Sequence, residues 1–409
     1  MIGDFSFQHL GKGDEIEEEL ELMRRVFGEK SRVDLMVKKW IDYHPCMTLE
    51  DFFVAKHRGR IVAALCLIPS EWSIGEIRLK AAELGCVATL LEYRHHGLQR
   101  KLMAEYHKRV LERGYDLSAI EGIPYFYRQF GYEYAIPLDE QTRIRLDEIP
   151  DYEPVCTFRP FTNHDVSKAM ELLARSQHKF YVHGVRDEGL WRMQEKTRVV
   201  AEYEFEGYRV EQEGQMTAYF RTSQNPKSKE LFLREITDVN ESAARSILGF
   251  LKERGADSGL ENLVCTISHH EPLAEYLAAT GHAGQPQPYA WQIRVSDYLN
   301  LFQKMKRLFE ERIKASEYNR STAKVDLNFF RYTIRLTLER GAITDVQRLE
   351  DTEYKAVWFN PTVFTQLLLG YRCREELELT YPDFIVRPSH RHLIDVLFPK
   401  LPSYIHTVY

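Results

Sequence analysis

Apolar residues recur along the first part of the chain with two different periods. From Asp14 to Phe27 they fall at Ile16, Leu20, Leu22, Met23 and Val26 in an otherwise acidic segment, which predicts a helix stopped at Gly28. Phe52-Phe53-Val54-Ala55 and the run Ile61 to Leu67 are short and apolar. The residues between them, His57-Arg58-Gly59-Arg60, predict a hairpin. Leu84 to Leu91 is long enough for a buried strand. From Leu98 to Arg113 the helical period returns. Leu98, Leu102, Met103, Tyr106, Val110 and Leu111 form one stripe, and Gly114 closes the helix. Strand, turn, helix, strand is the crossover unit of an α/β layer fold.

Ile149-Pro150-Asp151-Tyr152-Glu153-Pro154 places two prolines in a polar stretch and predicts a linker. The alternation then resumes, with helices over Asp165 to Ser176 and Ala243 to Arg254 and strands over Leu231 to Thr237 and Asn262 to Ser268. A second α/β domain over 155–300 follows from that pattern. Phe302 to Ala315 is a basic amphipathic helix leading into a third unit over 301–409. There Phe330 to Leu338 alternates as a half-exposed strand, and Val363 to Leu369 reads as a short helix ended by Gly370.

Composition narrows the classes. A chain of 409 residues predicts two or three domains, and 44% hydrophobic with 28% charged residues is ordinary for a soluble globular protein. The net charge of −6 speaks against a general nucleic-acid binder. No apolar run reaches the ~18 residues of a membrane span, and the polar, acidic N-terminus has no signal-peptide core. The expectation is a cytoplasmic protein with no membrane partner. The cysteines (Cys46, Cys66, Cys86, Cys156, Cys265, Cys373) are scattered without a CxxC pair, which suits reduced thiols. His95-His96, His269-His270 and His390/His392 have no carboxylate or cysteine at ligand spacing, so no metal is expected. Cys86 reads as a small buried hydrophobe, and the cluster Lys304-Met305-Lys306-Arg307 with Arg312 and Lys314 as a solvated helix face.

One turn carries candidate chemistry. Arg94-His95-His96-Gly97-Leu98-Gln99 opens the helix at Leu98. A helix N-terminus leaves N–H groups unpartnered and carries partial positive charge. Gly97 lets a ligand approach the backbone, and Arg94 adds a charge suited to phosphate oxygens. An apolar strand running into such a turn is a recurrent pyrophosphate site. The same residues are also compatible with a solvated basic loop.

The stretch "VATLLEYRHHGLQRKLM" resembles the acetyl-CoA-binding motif of the GCN5-related N-acetyltransferases, Arg/Gln-x-x-Gly-x-Gly/Ala at the start of a helix that follows a splayed strand. Arg94 and Gly97 match, Gln99 stands where that pattern has Gly or Ala, and Leu91 stands where proline is common. The resemblance implies that the N–H groups of His95, His96, Gly97, Leu98, Gln99 and Arg100 hold the pyrophosphate. It also implies that the edge of Val87-Ala88-Thr89 pairs with the pantetheine amides, with Ile120 and Glu121 counted in the same cofactor site. Downstream, "EGIPYFYRQFGYEYA" is similar to the Tyr-x-x-Phe-Gly-Tyr segment of the enhanced intracellular survival acetyltransferases, with Tyr127, Phe130, Gly131 and Tyr132 matching.

That resemblance extends to the whole chain. It implies an α/β (α+β) fold with two tandem acetyltransferase-like domains, 1–150 and a degenerate 155–300, and a C-terminal sterol-carrier-protein-like α/β domain, 301–409. "FNPTVFTQLLLGYRCREELEL" and "LFPKLPSYIHTVY" look like the last domain and the family's terminal stretch. The pocket of such a domain is expected to be filled by protein. The implied chemistry is metal-free. Acetyl-CoA is the co-substrate, and the acetyl group passes directly to the primary amine of a small molecule or peptide. Tyr127 protonates the departing thiolate, and the carboxylate of the terminal aromatic residue, Tyr409, acts as base. A backbone N–H near Val87 to Thr89 serves the oxyanion. A homo-oligomer is expected. The competing class is a non-catalytic acyl-CoA- or lipid-binding protein, against which Tyr127 and the aromatic C-terminus argue. Ser403 to Tyr409 holds no acidic residue to attract a polycationic acceptor, whereas Phe27, Trp40 and Tyr43 would suit an amine on an apolar body.

Overall fold

The computed structural model describes residues 4–138, 140–285, 289–350 and 357–406. The first six strands are β1 (Phe5–His9), β2 (Phe52–His57), β3 (Arg60–Ile74), β4 (Ile77–Thr89), β5 (Leu117–Ile120) and β6 (Glu133–Pro137). All lie in one sheet, ordered β1-β2-β3-β4-β5, then the distant strand Ala290–Val295, then β6. β7 (Glu140–Arg145) and β8 (Thr157–Pro160) are the two edges of a second, six-stranded sheet, and β9 (Val182–Val185) returns to pair with the far half of β3. In the second sheet Glu230–Ile236 and Asn262–Ile267 are parallel, joined by the helix Glu241–Asp257. A third sheet of five strands is built from residues 323–386. The result is the mixed α/β class the sequence predicts. Strand pairing runs across the boundaries expected near 150 and 300: β7 belongs to the second sheet, whereas β9 and Ala290–Val295 complete the first.

Helices α1 (Asp14–Phe27), α2 (Val33–Tyr43) and α3 (Leu98–Glu112) cover the first sheet. α3 buries Leu98, Leu102, Met103, Tyr106 and Val110, the stripe read from its period. Leu111 departs from it and is 51% exposed, because it stands about 100° round the helix from Val110. β3 and β4 are also longer than the apolar runs that announce them. Their polar distal residues, such as Ser70, Glu71, Arg78 and Lys80, still pair along the ladder to Ile74↔Ile77.

The helix Tyr298–Lys314 starts at the N-cap Asp297, whose carboxylate accepts from the Leu299 N–H at 2.8 Å. It buries Tyr298, Leu301, Phe302, Met305, Phe309 and Ile313 in a cluster that also contains Trp72 and Trp291 of the first sheet. The solvated-face reading of its basic cluster holds for Arg307 and Lys314, which are exposed, and is incomplete for the others. Lys304 Nζ lies 2.6 and 2.8 Å from the two oxygens of the buried Asp116, and Met305 is fully buried. Arg312 donates to the Leu397 carbonyl at 2.5 Å. The cluster therefore joins the third unit to the first and to its own last helix.

α1 also buries Glu19, only 1% exposed, on a helix otherwise edged with surface carboxylates. Burial pushes its pKa from 4.5 up to about 8, and its Oε2 has no hydrogen-bond partner. The folded carboxyl therefore holds its proton where the unfolded one has lost it. Stability from this group is fully present below about pH 4.5 and is lost as pH rises toward 8. Glu19→Gln is expected to remove that slope. Urea melts should find the variant the more stable at pH 8, by on the order of a few kcal/mol, and equal to wild type near pH 4.5. Parallel pH profiles for the two proteins would contradict the burial of Glu19.

Candidate active site

β4 and β5 pair only at Ala81↔Leu117, Ala82↔Ser118 and Glu83↔Ala119. β5 ends at Ile120, while β4 continues to Thr89, paired with β3 on its other side at Ala64↔Ala88 and Ala63↔Thr89. The edge of β4 from Leu84 to Thr89 is thus left without a strand on the β5 side. The β3–β4 register shifts between Ala64 and Cys66, and opposite that shift Cys86 adopts a left-handed φ of 50°. A bulge here re-aims the strand. Cys86 is half-buried at this bulge rather than fully enclosed in a strand.

The turn after β4 has two left-handed residues, His95 at φ 67° and Gly97 at φ 75°. α3 begins at Leu98 without a side-chain cap. Its first N–H groups and its positive dipole end are available to an anion. Val87, Thr89, Arg94, His95, Gly97, Leu98, Gln99 and Arg100 line one cleft of about 640 Å³ together with Tyr127. The four other residues expected in the cofactor site lie elsewhere. His96 packs against Phe5 with ring centroids 5.7 Å apart. Ile120 and Glu121 line an adjoining cavity. Ala88 is buried and does not border the cleft.

Gln99 explains its own departure from the small-residue pattern. Its Nε2 donates to the Ala88 carbonyl at 2.6 Å, to Thr89 Oγ1 at 3.0 Å and toward the Ala64 carbonyl at 3.2 Å. One amide thus ties the start of α3 to β3 and β4 where the bulge weakens their ladder.

Tyr127 lies in the short helix Phe126–Phe130 and is 5% exposed. Its ring packs on Gly122, where a Cβ would stand 2.1 Å from the Tyr127 ring carbon Cε2. The Gly122 carbonyl accepts from Gln292 Nε2 at 2.8 Å, so the distant strand Ala290–Val295 braces the floor under Tyr127. Burial pushes the phenol well above its usual pKa, and neighbouring Tyr132 and Tyr289 add to the shift. Tyr127 is protonated throughout the neutral range and can donate but not accept a proton.

The adjoining cavity has about 600 Å³ and meets the cleft at Val87, Ile123 and Tyr127. Phe27, Val33, Met36 and Trp40 give it an apolar wall, and Glu83, Glu121 and Glu202 bring carboxyl groups. Burial raises the Glu202 pKa. Tyr203 and Arg234 enter from the second unit. The sequence pattern missed Glu83, on β4 itself, and Ile123, just after β5; it missed Glu202, Tyr203 and Arg234 because only the packing of distant segments brings them to β4. Of the aromatic residues singled out from sequence, Phe27 and Trp40 line this cavity and Tyr43 a neighbouring one.

Tyr409 lies outside the described residues. The chain before it is firmly docked. The Tyr181 N–H donates to the Pro402 carbonyl at 2.6 Å and the Tyr404 N–H to the Val182 carbonyl at 2.9 Å, while Ser403 Oγ donates to the Leu369 carbonyl at 3.1 Å. Tyr404, Ile405 and His406 are buried. His406 Nε2 sits 3.7 Å from Glu271 Oε1 and within electrostatic reach of Glu235, the residue after Arg234. Among the described residues no helix is long and apolar enough to cross a membrane, and no group of three or more His, Cys, Asp or Glu could hold a metal ion.

Residues 9–135 match the acetyltransferase (GNAT) domain family. The whole chain is similar in structure to a GCN5-related N-acetyltransferase from Anabaena variabilis, with 14% identity and a TM-score of 0.75 over 99% of this chain and 100% of that one. It is similar to Eis1 from Mycobacterium abscessus, with 16% identity and a TM-score of 0.65 over 98% and 99%. A Saccharomyces cerevisiae N-myristoyltransferase with bound myristoyl-CoA aligns over 72% of this chain and 80% of its own, with 13% identity and a TM-score of 0.53. At these identities the likeness is one of fold. No curated protein sequence matches the chain. Gln99→Ala leaves the Ala88 carbonyl without its shortest side-chain donor and is expected to cost about 1–3 kcal/mol of stability, read by urea titration. An unchanged midpoint would mean that the three contacts carry no net energy.

Proposed function

We propose that the chain is an acetyl-CoA-dependent N-acetyltransferase that passes the acetyl group directly to a primary amine. The observation that carries this reading is the meeting of cleft and cavity at Val87, Ile123 and Tyr127. A cofactor entering from the helix end and an acceptor entering from the aromatic side would face each other at one point beside a buried phenol.

Each part of the site has a role under this reading. The N-terminal N–H groups of α3 and Arg94 hold the pyrophosphate. The open edge at Val87 to Thr89 pairs with the pantetheine amides, and the Val87 N–H at the bulge stabilises the developing oxyanion. Tyr127 protonates the leaving thiolate. Its raised pKa keeps it protonated until that step, at the cost of making it a weaker acid. The carboxylate of Tyr409 takes the amine proton. The docking of residues 401–406 supports a tail that enters the interior, and three further residues reach about 10 Å at full extension. Tyr127 at the junction favours an enzyme over a non-catalytic binder. In the sterol-carrier-like third unit, Phe302, Phe309, Phe364 and Phe398 pack ring on ring in its interior, which favours a structural role over lipid binding.

Acetyl-CoA at 100 times its dissociation constant is expected to stabilise the full chain by about 2.7 kcal/mol, and Arg94→Ala to weaken that effect. A melting temperature indifferent to saturating acetyl-CoA would sink the proposal. Tyr127→Phe is expected to slow turnover ~10²–10⁴-fold with cofactor affinity retained. Adding one Gly after Tyr409 replaces its carboxylate by a neutral amide and is expected to slow turnover steeply, again without loss of cofactor affinity. A Gly-extended enzyme of full rate would remove Tyr409 from the mechanism.

A further inference from the structure

The aromatic cavity does not close behind its acceptor. Met36, Ala201 and Glu202 line it on one side and on the other line a second cavity of about 300 Å³, set between α2 and the helix Glu188–Thr197. The balance of charge shifts across this wall. The first cavity carries the carboxyl groups of Glu83, Glu121 and Glu202 with one cation, Arg234, and the second is lined by four cations, Arg32, Lys38, Lys39 and Lys196, with Asp42 and the shared Glu202.

Two of these cations are already paired. Arg32 Nη2 lies 2.6 Å from Glu204, and Lys38 Nζ lies 2.5 Å from Asp42. The other two have no carboxylate within ion-pair distance among the described residues. Lys196 rests over the Tyr43 ring, 4.3 Å from its centroid. Lys39 is 6% exposed, and its ammonium donates one long hydrogen bond, 3.3 Å, to the Val199 carbonyl. An ammonium carries three donors, and burying it without a counter-ion is costly. Burial lowers the Lys39 pKa only to about 8, so it stays largely charged at neutral pH. The fold thus keeps a desolvated cation with spare donors at the far end of the acceptor path.

We propose that this side cavity is the distal half of the acceptor site and receives an oxyanion, a carboxylate or phosphate, so that the acceptor class is a primary amine joined through an apolar body to an anionic group. The inference rests on the acyl-transfer reading above. The amine end lies among the carboxyl groups near Tyr127, the apolar body runs along Phe27, Trp40 and Met36, and the oxyanion meets Lys39 and Lys196. A polycation would set a positive charge against Lys39.

The test uses the full chain with acetyl-CoA and four probes built on an eight-carbon chain: ω-aminooctanoate, ω-aminooctyl phosphate, the neutral ω-aminooctanamide and diaminooctane. At least one anionic probe is expected to exceed the amide in kcat/KM by about tenfold, with diaminooctane poorest, and comparing the two anions separates carboxylate from phosphate. In Lys39→Met the ratio of anionic to neutral probe is expected to fall toward one, with most of the change in KM. Lys196→Gln, at an exposed position, is expected to reduce the ratio in a protein of unchanged melting temperature. Equal rates for anionic and neutral probes, or a ratio that survives both substitutions, would overturn the proposal. If no amine releases CoA, the acyl-transfer reading fails on its own. Calorimetric binding of ω-aminooctanoate then decides the anion site: binding lost in Lys39→Met supports it, and absent or unaltered binding overturns it.

Discussion

Backbone amides removed from water must find partners, and the site exists because a stretch of β4 is released from that rule on one side. β4 and β5 share three residue pairs and then part, and β4 runs on with its β5-side edge open. An open edge inside a domain is unstable unless its surroundings hold the gap. Here two amide side chains do so. Gln99 fastens the start of α3 to the carbonyls flanking the bulge, and Gln292 holds Gly122 beneath Tyr127. Between these braces lie a helix end rich in donors and a phenol kept protonated by burial. The same gap produces the cleft, the cavity and their junction.

What was legible in the sequence is local. The stripe of α3, the stop at Gly28 and the left-handed glycine before Leu98 depend on residues within a turn or two of each other, and their spacing carries the information. The fold class follows from such units in series. The lining of the cleft was legible for the same reason, since one strand and one turn supply most of it. The lining of the adjoining cavity was not. Glu202, Tyr203 and Arg234 reach β4 only because the second unit packs there, and no pattern near those residues marks the event. Glu19 and Lys304 were hidden differently: both sit among like-charged surface residues and differ from them only in what they pack against. Gln99 reads in sequence as a mismatch to a small-residue motif, and its three acceptors lie on segments 10, 11 and 35 residues away.

The second unit contributes rigidity. Arg186 grips Glu235 with two bonds of 3.0 and 2.7 Å in a fully buried setting, beside Arg221 and under the ring of Trp191. Burial opposes the charge on Glu235, and Arg186 and Arg221 overcome it, holding the carboxyl far below its usual pKa. Such pairs add little net stability but are costly to break singly. This one fixes the end of β9 to the second sheet, and β9 carries the docked C-terminal segment. The position of the tail is therefore set by a polar lock in another sheet.

The strand Ala290–Val295 lies between β5 and β6, more than 150 residues after either of them in the chain. During synthesis the first sheet emerges with the slot beside its edge strand β6 unfilled. At ~5–20 residues per second the ribosome needs on the order of ten seconds or more to deliver the missing strand. Until then the inner edges of β5 and β6 face outward with the apolar residues Ala119 and Ile136 beside them, a template for wrong partners. The nascent chain must be shielded over that interval. The first sheet thus becomes whole only after the second unit has been made, so a nascent chain cannot carry a finished site before its scaffold.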